Sequence, residues 1–341
     1  MKNPIGYLGN RFLGKEKATS EKKIEPMAPI NVLINKEVAA HIRSWRFIVL
    51  IVLVVLTFVA SLYVSSGNLR SAFGNPQDPD KSFLYLKLLT TTDNSIPPFH
   101  VFLNFLAPLL GIALGFDAVN AEQNGGTLTR LMAQPIYRDN LLFAKFAGPM
   151  ILVSTLFTSL VLLMLGGGLI STGVRIEPQE VIRIAGFVVI SLIYVGFWLS
   201  LSIFLSIKFR QSATSALTAI GIWLFFTVFF PIVINLIVRS FLPNPNYISE
   251  QEFLKYNELI LNMLRLSPSQ LYTDATTTLL SPSVRSLGPI TMEQMIGAIP
   301  APLSFRDSLM IVWPQVSGLT AATVVCFALS YFVFMRREVR S

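Results

Sequence analysis

The feature that most constrains the fold of this chain is the absence of charge over six long stretches. Residues 47–69, 94–116, 146–174, 184–207, 211–238 and 308–335 contain no Asp, Glu, Lys or Arg, and all are rich in Leu, Ile, Val and Phe. A helix of about 20 apolar residues crosses the hydrocarbon core of a bilayer, and it pairs its own backbone polar groups there. We therefore predict an all-α integral membrane protein with six transmembrane helices, at about 47–66, 99–118, 141–170, 183–207, 212–238 and 312–335.

The composition argues against a soluble helical core. Only 13% of the residues are charged, about half the fraction that is typical of soluble domains. The alternating pattern of a membrane β-barrel is also missing. One cysteine excludes a disulfide framework or a thiolate metal cluster, and two histidines cannot build a histidine-rich zinc site, so no metal site is predicted.

The positions of the charges predict the orientation in the membrane. With the N-terminus inside, the inner segments carry 17 Lys and Arg in 84 residues and the outer segments carry 10 in 102. The net charges are then +9 inside and −1 outside, as the positive-inside rule requires. We predict that both termini are cytosolic, in the plasma membrane of a prokaryote. The net charge of +8 therefore reports topology, and nucleic-acid binding is rejected.

The remaining segments are assigned around the spans. Residues 1–29 form a flexible cytosolic tail, 239–311 an extracellular helical insert of which part dips into the outer leaflet, and 336–341 a short cytosolic tail. Residues 30–46 form an amphipathic helix in the membrane interface, in contact with lipid. Its apolar face consists of Ile30, Leu33, Ile34, Val38, Ile42 and Trp45. This helix serves either as a simple anchor or also as a contact for a cytosolic partner.

The second span carries a pair of glycines that allows a close helix contact. Gly111 and Gly115 are separated by three residues, which places both on one face of the helix. We expect packing within the chain; an interface with a second subunit is the alternative.

A polar elbow at 117–139 joins the second and third spans on the inner side. The second helix is expected to continue to about Asn124, where Gly125 and Gly126 break it. Thr127 can cap a short helix at 128–133 that ends before Pro135, and Asp139 can cap the third span. The short helix has one charged residue, Arg130, and an apolar face formed by Leu128, Leu131 and Met132. That face must be covered, either by the membrane domain of the same chain or by a groove in a cytosolic partner.

The elbow resembles one family. Its motif consists of Asp117-Ala118, Glu122, Gly126-Thr127-Leu128, Leu131, Pro135 and Arg138. This pattern is similar to that of the membrane subunits of type-2 ABC exporters, in particular the permeases grouped with copper-enzyme maturation, gliding and sodium- or peptide-export systems. The order of elements over about 30–340 fits as well. One departure is Asn124, where many relatives carry a second acidic residue.

The resemblance implies that the elbow is a coupling helix seated in a cleft of a separate ATPase. Two ATPase subunits would act on two permeases, as a homodimer or a heterodimer, with ATP and Mg²⁺ on the ATPase and no cofactor on this chain. The resemblance also implies a role for each residue. The apolar side chains Leu128, Leu131 and Met132 insert into the cleft of the ATPase, and Arg130 and Arg138 pair with its acidic groups. Glu122 ties the elbow to a neighbouring base, with a bridge to Arg138 as the local alternative, while Gly125 and Gly126 permit the turn and Thr127 and Pro135 bound the short helix.

Other function classes are disfavoured by what the sequence contains. Residues 9–15 match the GxxxxGK pattern, but Glu16 follows where a phosphate loop needs Ser or Thr, so this chain is not predicted to be an enzyme. An ion-coupled carrier or channel would place charges inside its spans, and an intramembrane enzyme would need paired catalytic groups there; the six runs hold neither. The uncharged spans favour a lipid-like or hydrophobic-peptide cargo.

Overall fold

The computed structural model describes residues 29–72, 83–91, 96–132, 137–241, 250–284, 286–288 and 302–336. The two predicted tails lie outside these residues, apart from their innermost positions, and so do the GxxxxGK string and Pro135. Within the described residues every regular element is helical. The elements are α1 Pro29–Ile42, α2 Trp45–Ala72, α3 Leu84–Thr90, α4 Phe99–Gly115, α5 Asn120–Asn124, α6 Thr127–Met132, α7 Arg138–Thr172, α8 Pro178–Lys208, α9 Ser212–Leu224, a π-helical turn Phe225–Phe229, α10 Phe230–Phe241, α11 Glu250–Leu264, α12 Pro268–Leu280 and α13 Phe305–Arg336.

Six of these helical stretches are long and apolar enough to cross a membrane, which confirms the predicted number. They are Trp45–Gly67, Phe99–Asn124, Arg138–Ile170, Pro178–Lys208, Ser212–Val238 and Phe305–Arg336. The expected continuous extension of the second helix is interrupted by turns at 116–119 before α5. The reason is a lateral contact, because the Ser206 hydroxyl of α8 accepts the backbone N–H groups of Val119 and Asn120 at 3.0 and 3.2 Å.

The fourth span, α8, lies at the centre of the bundle and buries most of its side chains, whereas fewer than a quarter of the residues in the first, third, fifth and sixth spans are buried. Gly111 and Gly115 of α4 lie directly against it. A Cβ atom at Gly111 would stand 2.8 Å from the Leu199 nitrogen and the Val195 oxygen. The missing side chains therefore let the two helix backbones touch, and the described contact of this glycine pair is inside the chain.

The insert after the fifth span does not lie entirely outside the bundle of spans, because its helix α12 reaches the middle of the bundle. Ser267, just before α12, donates to the Phe226 carbonyl in the π-helical turn of the fifth span at 3.2 Å. Tyr272 shares a hydrogen bond of 3.0 Å with Ser191, near the middle of α8. A Cβ atom at Gly318, near the middle of α13, would lie 3.7 Å from Leu271. These contacts with the fifth, fourth and sixth spans place the start of α12 about halfway along the bundle.

The far end of α12 is held at the end of the bundle opposite the elbow. Arg183 is fully buried and donates to the carbonyl groups of Leu279 and Leu303 at 2.9 and 2.6 Å, and to the Ser308 hydroxyl at 3.1 Å. Its guanidinium also lies 5.8 Å from the ring centre of Phe83. One buried cation thus joins α8, α12 and the start of α13, and α11 and α12 form a hairpin that enters the bundle from this end.

Candidate functional site

The elbow has the predicted sharp break between two short helices. α5 ends at Asn124, and Gly126 takes a left-handed conformation with φ of +67°. Residues with a side chain rarely adopt this conformation, which explains a glycine at this position. Thr127 is the first residue of α6; its hydroxyl donates to the Glu122 carbonyl at 3.2 Å and so ties α6 back to α5. Asp139 accepts the N–H of Asn140 at 3.0 Å within the first turn of α7. It lies two residues after the cap position, which is Tyr137 and not Asp139 as predicted.

The side chains of α6 face two ways. Leu128 is 4% exposed and packs in the hydrophobic core of its own chain, whereas Thr127 and Arg130 are exposed. Leu128 is therefore covered by its own membrane domain in this structure, and its insertion into a partner stays a prediction. The backbones of Leu131 and Met132 complete α6, but their side chains lie outside the described part of the chain. Arg138 is exposed at the start of α7.

Four charged side chains form what we call the ion cluster: Lys36 and Glu37 of α1, Glu122 of α5 and Lys145 of α7. The Lys36 ammonium lies 2.7 Å from Glu122 Oε1 and 3.3 Å from Glu37 Oε1. The Lys145 ammonium lies 3.0 Å from Glu122 Oε2 and 3.3 Å from Glu37 Oε1. Each carboxylate thus contacts both lysines, so the cluster is neutral as a whole and links three helices.

The ion cluster differs from a surface ion pair because two of its side chains are buried. The Lys145 side chain is only 3% exposed and that of Glu37 is 9% exposed. Burial by itself would lower the pKa of Lys36, but Glu122 and Glu37 outweigh it and raise that pKa above its ordinary value. Lys36 is therefore charged at neutral pH. Because a buried charge without its partner is costly, each member holds the others in place.

A second ion pair ties the elbow to the start of the first span. Arg46 of α2 lies 2.6 Å from the Asp117 carboxylate, in the turn after α4. The same guanidinium stands 4.9 Å from the ring centre of Phe116. The pair is more exposed than the ion cluster, with 58% of the Arg46 side chain accessible, so its main effect is to fix position.

Helix α1 approaches α7 closely enough to make this arrangement rigid. A Cβ atom at Gly148 of α7 would lie 2.9 Å from the Glu37 Cβ of α1. The glycine allows α1 to lie directly on α7, one turn from Lys145, and so brings Glu37 within reach of the lysine. The predicted interfacial helix is thus packed on a span and on the elbow.

The opposite side of the elbow is attached to the connection between the fourth and fifth spans. The Asn124 amide donates to the Arg210 carbonyl at 2.8 Å, and Ser212 donates to the Asn120 side chain at 2.8 Å. Together with the Ser206 contact, these bonds join α5 to α8 and α9. Asn124 therefore has a structural partner at the position where many members of the resembled family carry an acid.

Sequence reasoning found the elbow but missed most of what holds it. Glu122 binds Lys36 and Lys145, and the alternative bridge to Arg138 is not among the described ion pairs. The lysines lie far from Glu122 along the chain, so no local spacing indicates the pairing. The available signal was Lys145, a cation two turns into α7 and immediately before the charge-free run 146–174.

Comparison with known proteins agrees with this architecture. Residues 31–339 match the model of the ABC-2 family transporter protein. A relative from Stutzerimonas stutzeri, named "Probable ABC transporter permease protein NosY", is 26% identical over 238 residues, which are 68% of this chain and 76% of the relative. A protein of the same name from Pseudomonas aeruginosa is 28% identical over 134 residues, 38% of this chain and 47% of that protein. The match to the family model covers all six spans and the elbow, and the chain therefore belongs to the ABC-2 family of transporter proteins, as a multi-pass permease subunit of an ABC transporter.

Proposed function

We propose that this chain is the membrane subunit of an ATP-driven exporter and that its elbow receives the movement of a separate ATPase. ATP and Mg²⁺ bind to that ATPase. Two ATPase subunits act on two permeases, and both termini of this chain lie in the cytosol of a bacterium. The charge distribution supports this orientation, because the elbow and the basic segments then share the inner surface.

The observation that carries the proposal is the attachment of the elbow on three sides. The ion cluster joins it to α1 and α7, Arg46 joins it to α2, and hydrogen bonds join it to α8 and α9. A segment held this way cannot shift without moving the spans. An elbow that served only as a connection would not need these buried charges.

The exposed part of the elbow is a small surface with one cation. Thr127 and Arg130 face away from the bundle, and Arg130 is available for an acidic group of the ATPase. The buried Leu128 side chain anchors α6 to the membrane domain of its own chain. In the proposed complex, the ATPase therefore binds the exposed side of α6, while the buried side transmits the movement.

Charge reversal at Arg130 tests the contact. We expect that Arg130→Glu strongly reduces the ATPase recovered with the purified permease, because it replaces attraction by repulsion. Arg175→Glu is the matched control, since Arg175 is an exposed arginine between α7 and α8, at the end of the bundle opposite the elbow. Both variants should insert normally. Unchanged recovery of the ATPase with Arg130→Glu would contradict the proposed contact.

The proposed cargo is apolar or amphipathic, because the spans carry their few charges at their ends and in the ion cluster. Transport assays with the purified complex in vesicles test this. Movement of a small hydrophilic ion, with no movement of a lipid-like or hydrophobic-peptide cargo, would contradict it.

A further inference from the structure

A groove lies where the fourth and sixth spans end, at the same end of the bundle as the elbow. It is lined by Ile207 and Lys208 of α8 and by Phe332, Val333 and Arg336 of α13, and its volume is about 420 Å³. The two helices are joined deeper in the bundle, where Ser330 donates to the Ser200 carbonyl at 3.1 Å. They separate beyond that point, and the groove opens between their ends.

The lining of the groove is divided into a charged part and an apolar part. Lys208 and Arg336 are the last residues of their helices and are both exposed. No acidic side chain lines the groove within the described residues. The Arg336 guanidinium lies 4.0 Å from the ring centre of Phe332, which fixes it over the apolar part. The groove thus offers two cations beside an apolar wall.

Its depth matches the headgroup region of a bilayer. The apolar spans end at Lys208 and Arg336, and Arg210, two residues beyond Lys208, is bonded to Asn124 of the elbow. The cations therefore lie at the membrane surface. The apolar lining lies closer to the hydrocarbon core and consists of Ile207, Phe332 and Val333. A lipid phosphate and the upper part of its acyl chains occupy these two levels.

We propose that this groove binds one anionic phospholipid, with its phosphate between Lys208 and Arg336 and an acyl chain on Phe332 and Val333. Basic pockets between membrane helices hold anionic headgroups in this way. Two cations with no carboxylate among the described lining residues favour a lipid of net negative charge over a zwitterionic one. A bound lipid would join the ends of α8 and α13 beside the segment to which the elbow is attached. The alternative is that Lys208 and Arg336 do not form a binding site and each only extends its charged group to the membrane surface.

Native mass spectrometry of the purified full-length chain tests the proposal, with phosphatidylglycerol as the probe. We expect one retained phosphatidylglycerol per chain, and roughly thirtyfold weaker retention in the Lys208→Gln, Arg336→Gln double variant, given the contribution of each cation at a membrane surface. Arg306→Gln is the matched control, because Arg306 is an exposed arginine at the opposite end of α13; it should retain the lipid like the unchanged chain.

Three further arms separate the alternatives. The charge-preserving double variant Lys208→Arg, Arg336→Lys should retain the lipid, which excludes a folding defect as the cause of any loss. Equal retention of phosphatidylcholine, or equal retention in the Gln double variant, would overturn the proposal in favour of cations without a site. Displacement of the lipid by inorganic phosphate alone would also overturn it, since the site would then recognise a free anion.

Discussion

Lys145 is the residue that most clearly distinguishes this elbow from a simple loop. Its ammonium group lies almost fully buried two turns into a membrane helix and is neutralised by two carboxylates from different helices. Lys36 touches the same two carboxylates but is 44% exposed. The two lysines thus make the same contacts at different depths, which allows burial to be tested separately from charge.

Replacement of each lysine by methionine should have unequal effects on stability. We expect Lys145→Met to lower the free energy of unfolding by about 2–4 kcal/mol, because the Lys145 ammonium is buried and water cannot replace it beside the two carboxylates. Lys36→Met should cost less than about 1 kcal/mol, since its charge is screened by water. Unfolding by SDS titration in mixed micelles measures both. Equal losses for the two variants would show that burial of the cluster does not matter.

The glycines of α4 give a second prediction at this scale. Gly111→Ala and Gly115→Ala should each destabilise the chain by roughly 1–3 kcal/mol, because the new methyl group meets backbone atoms of α8 that cannot move away easily. Gly166→Ala and Gly221→Ala are matched controls, since a Cβ atom at either position has no neighbour within 4 Å. The same SDS titration should show no loss for the controls. A loss in all four variants would point to a general intolerance of alanine.

At the scale of elements, the six spans could be predicted because each is specified by its own residues. Part of the insert was predicted to dip into the outer leaflet, but the sequence did not indicate that α12 is this part or that it reaches the middle of the bundle. Its sequence contains Ser269, Thr273, Asp274 and Thr276 and looks like an exposed helix, yet Thr276 is buried and Asp274 is 8% exposed. These polar groups are satisfied by distant or neighbouring residues, including Arg265, 3.1 Å from Asp274. The ion cluster was missed for the same reason, because its pairs form only after the helices pack.

A spin label at the tip of the hairpin tests its depth. Leu266, in the turn before α12, is 71% exposed, so Leu266→Cys accepts a label without repacking. The native Cys326 is first replaced by serine. In liposomes we expect the label to collide often with oxygen and rarely with a water-soluble nickel complex, as in the hydrocarbon core. A label at Arg306→Cys, at the outer end of α13, should show the reverse. Equal nickel accessibility at both positions would contradict the re-entrant hairpin.

At the scale of the whole molecule, α8 connects the two ends. Ser206 near one end accepts hydrogen bonds from the elbow, and Arg183 near the other end binds the hairpin and the start of α13. Most of α8 is buried between them. A displacement of the elbow therefore acts on the helix that also holds the opposite end of the bundle, and this provides a physical route for coupling.

The most direct test of coupling is ATP turnover by the partner ATPase in the presence of this chain. The permease and the ATPase are reconstituted together in nanodiscs, and turnover is compared with that of the ATPase alone. We predict that the permease changes the turnover rate, that Arg130→Glu returns it to the rate of the ATPase alone, and that Arg175→Glu behaves like the unchanged chain. Identical turnover in all four samples would contradict the claim that the elbow couples ATP hydrolysis to this membrane domain.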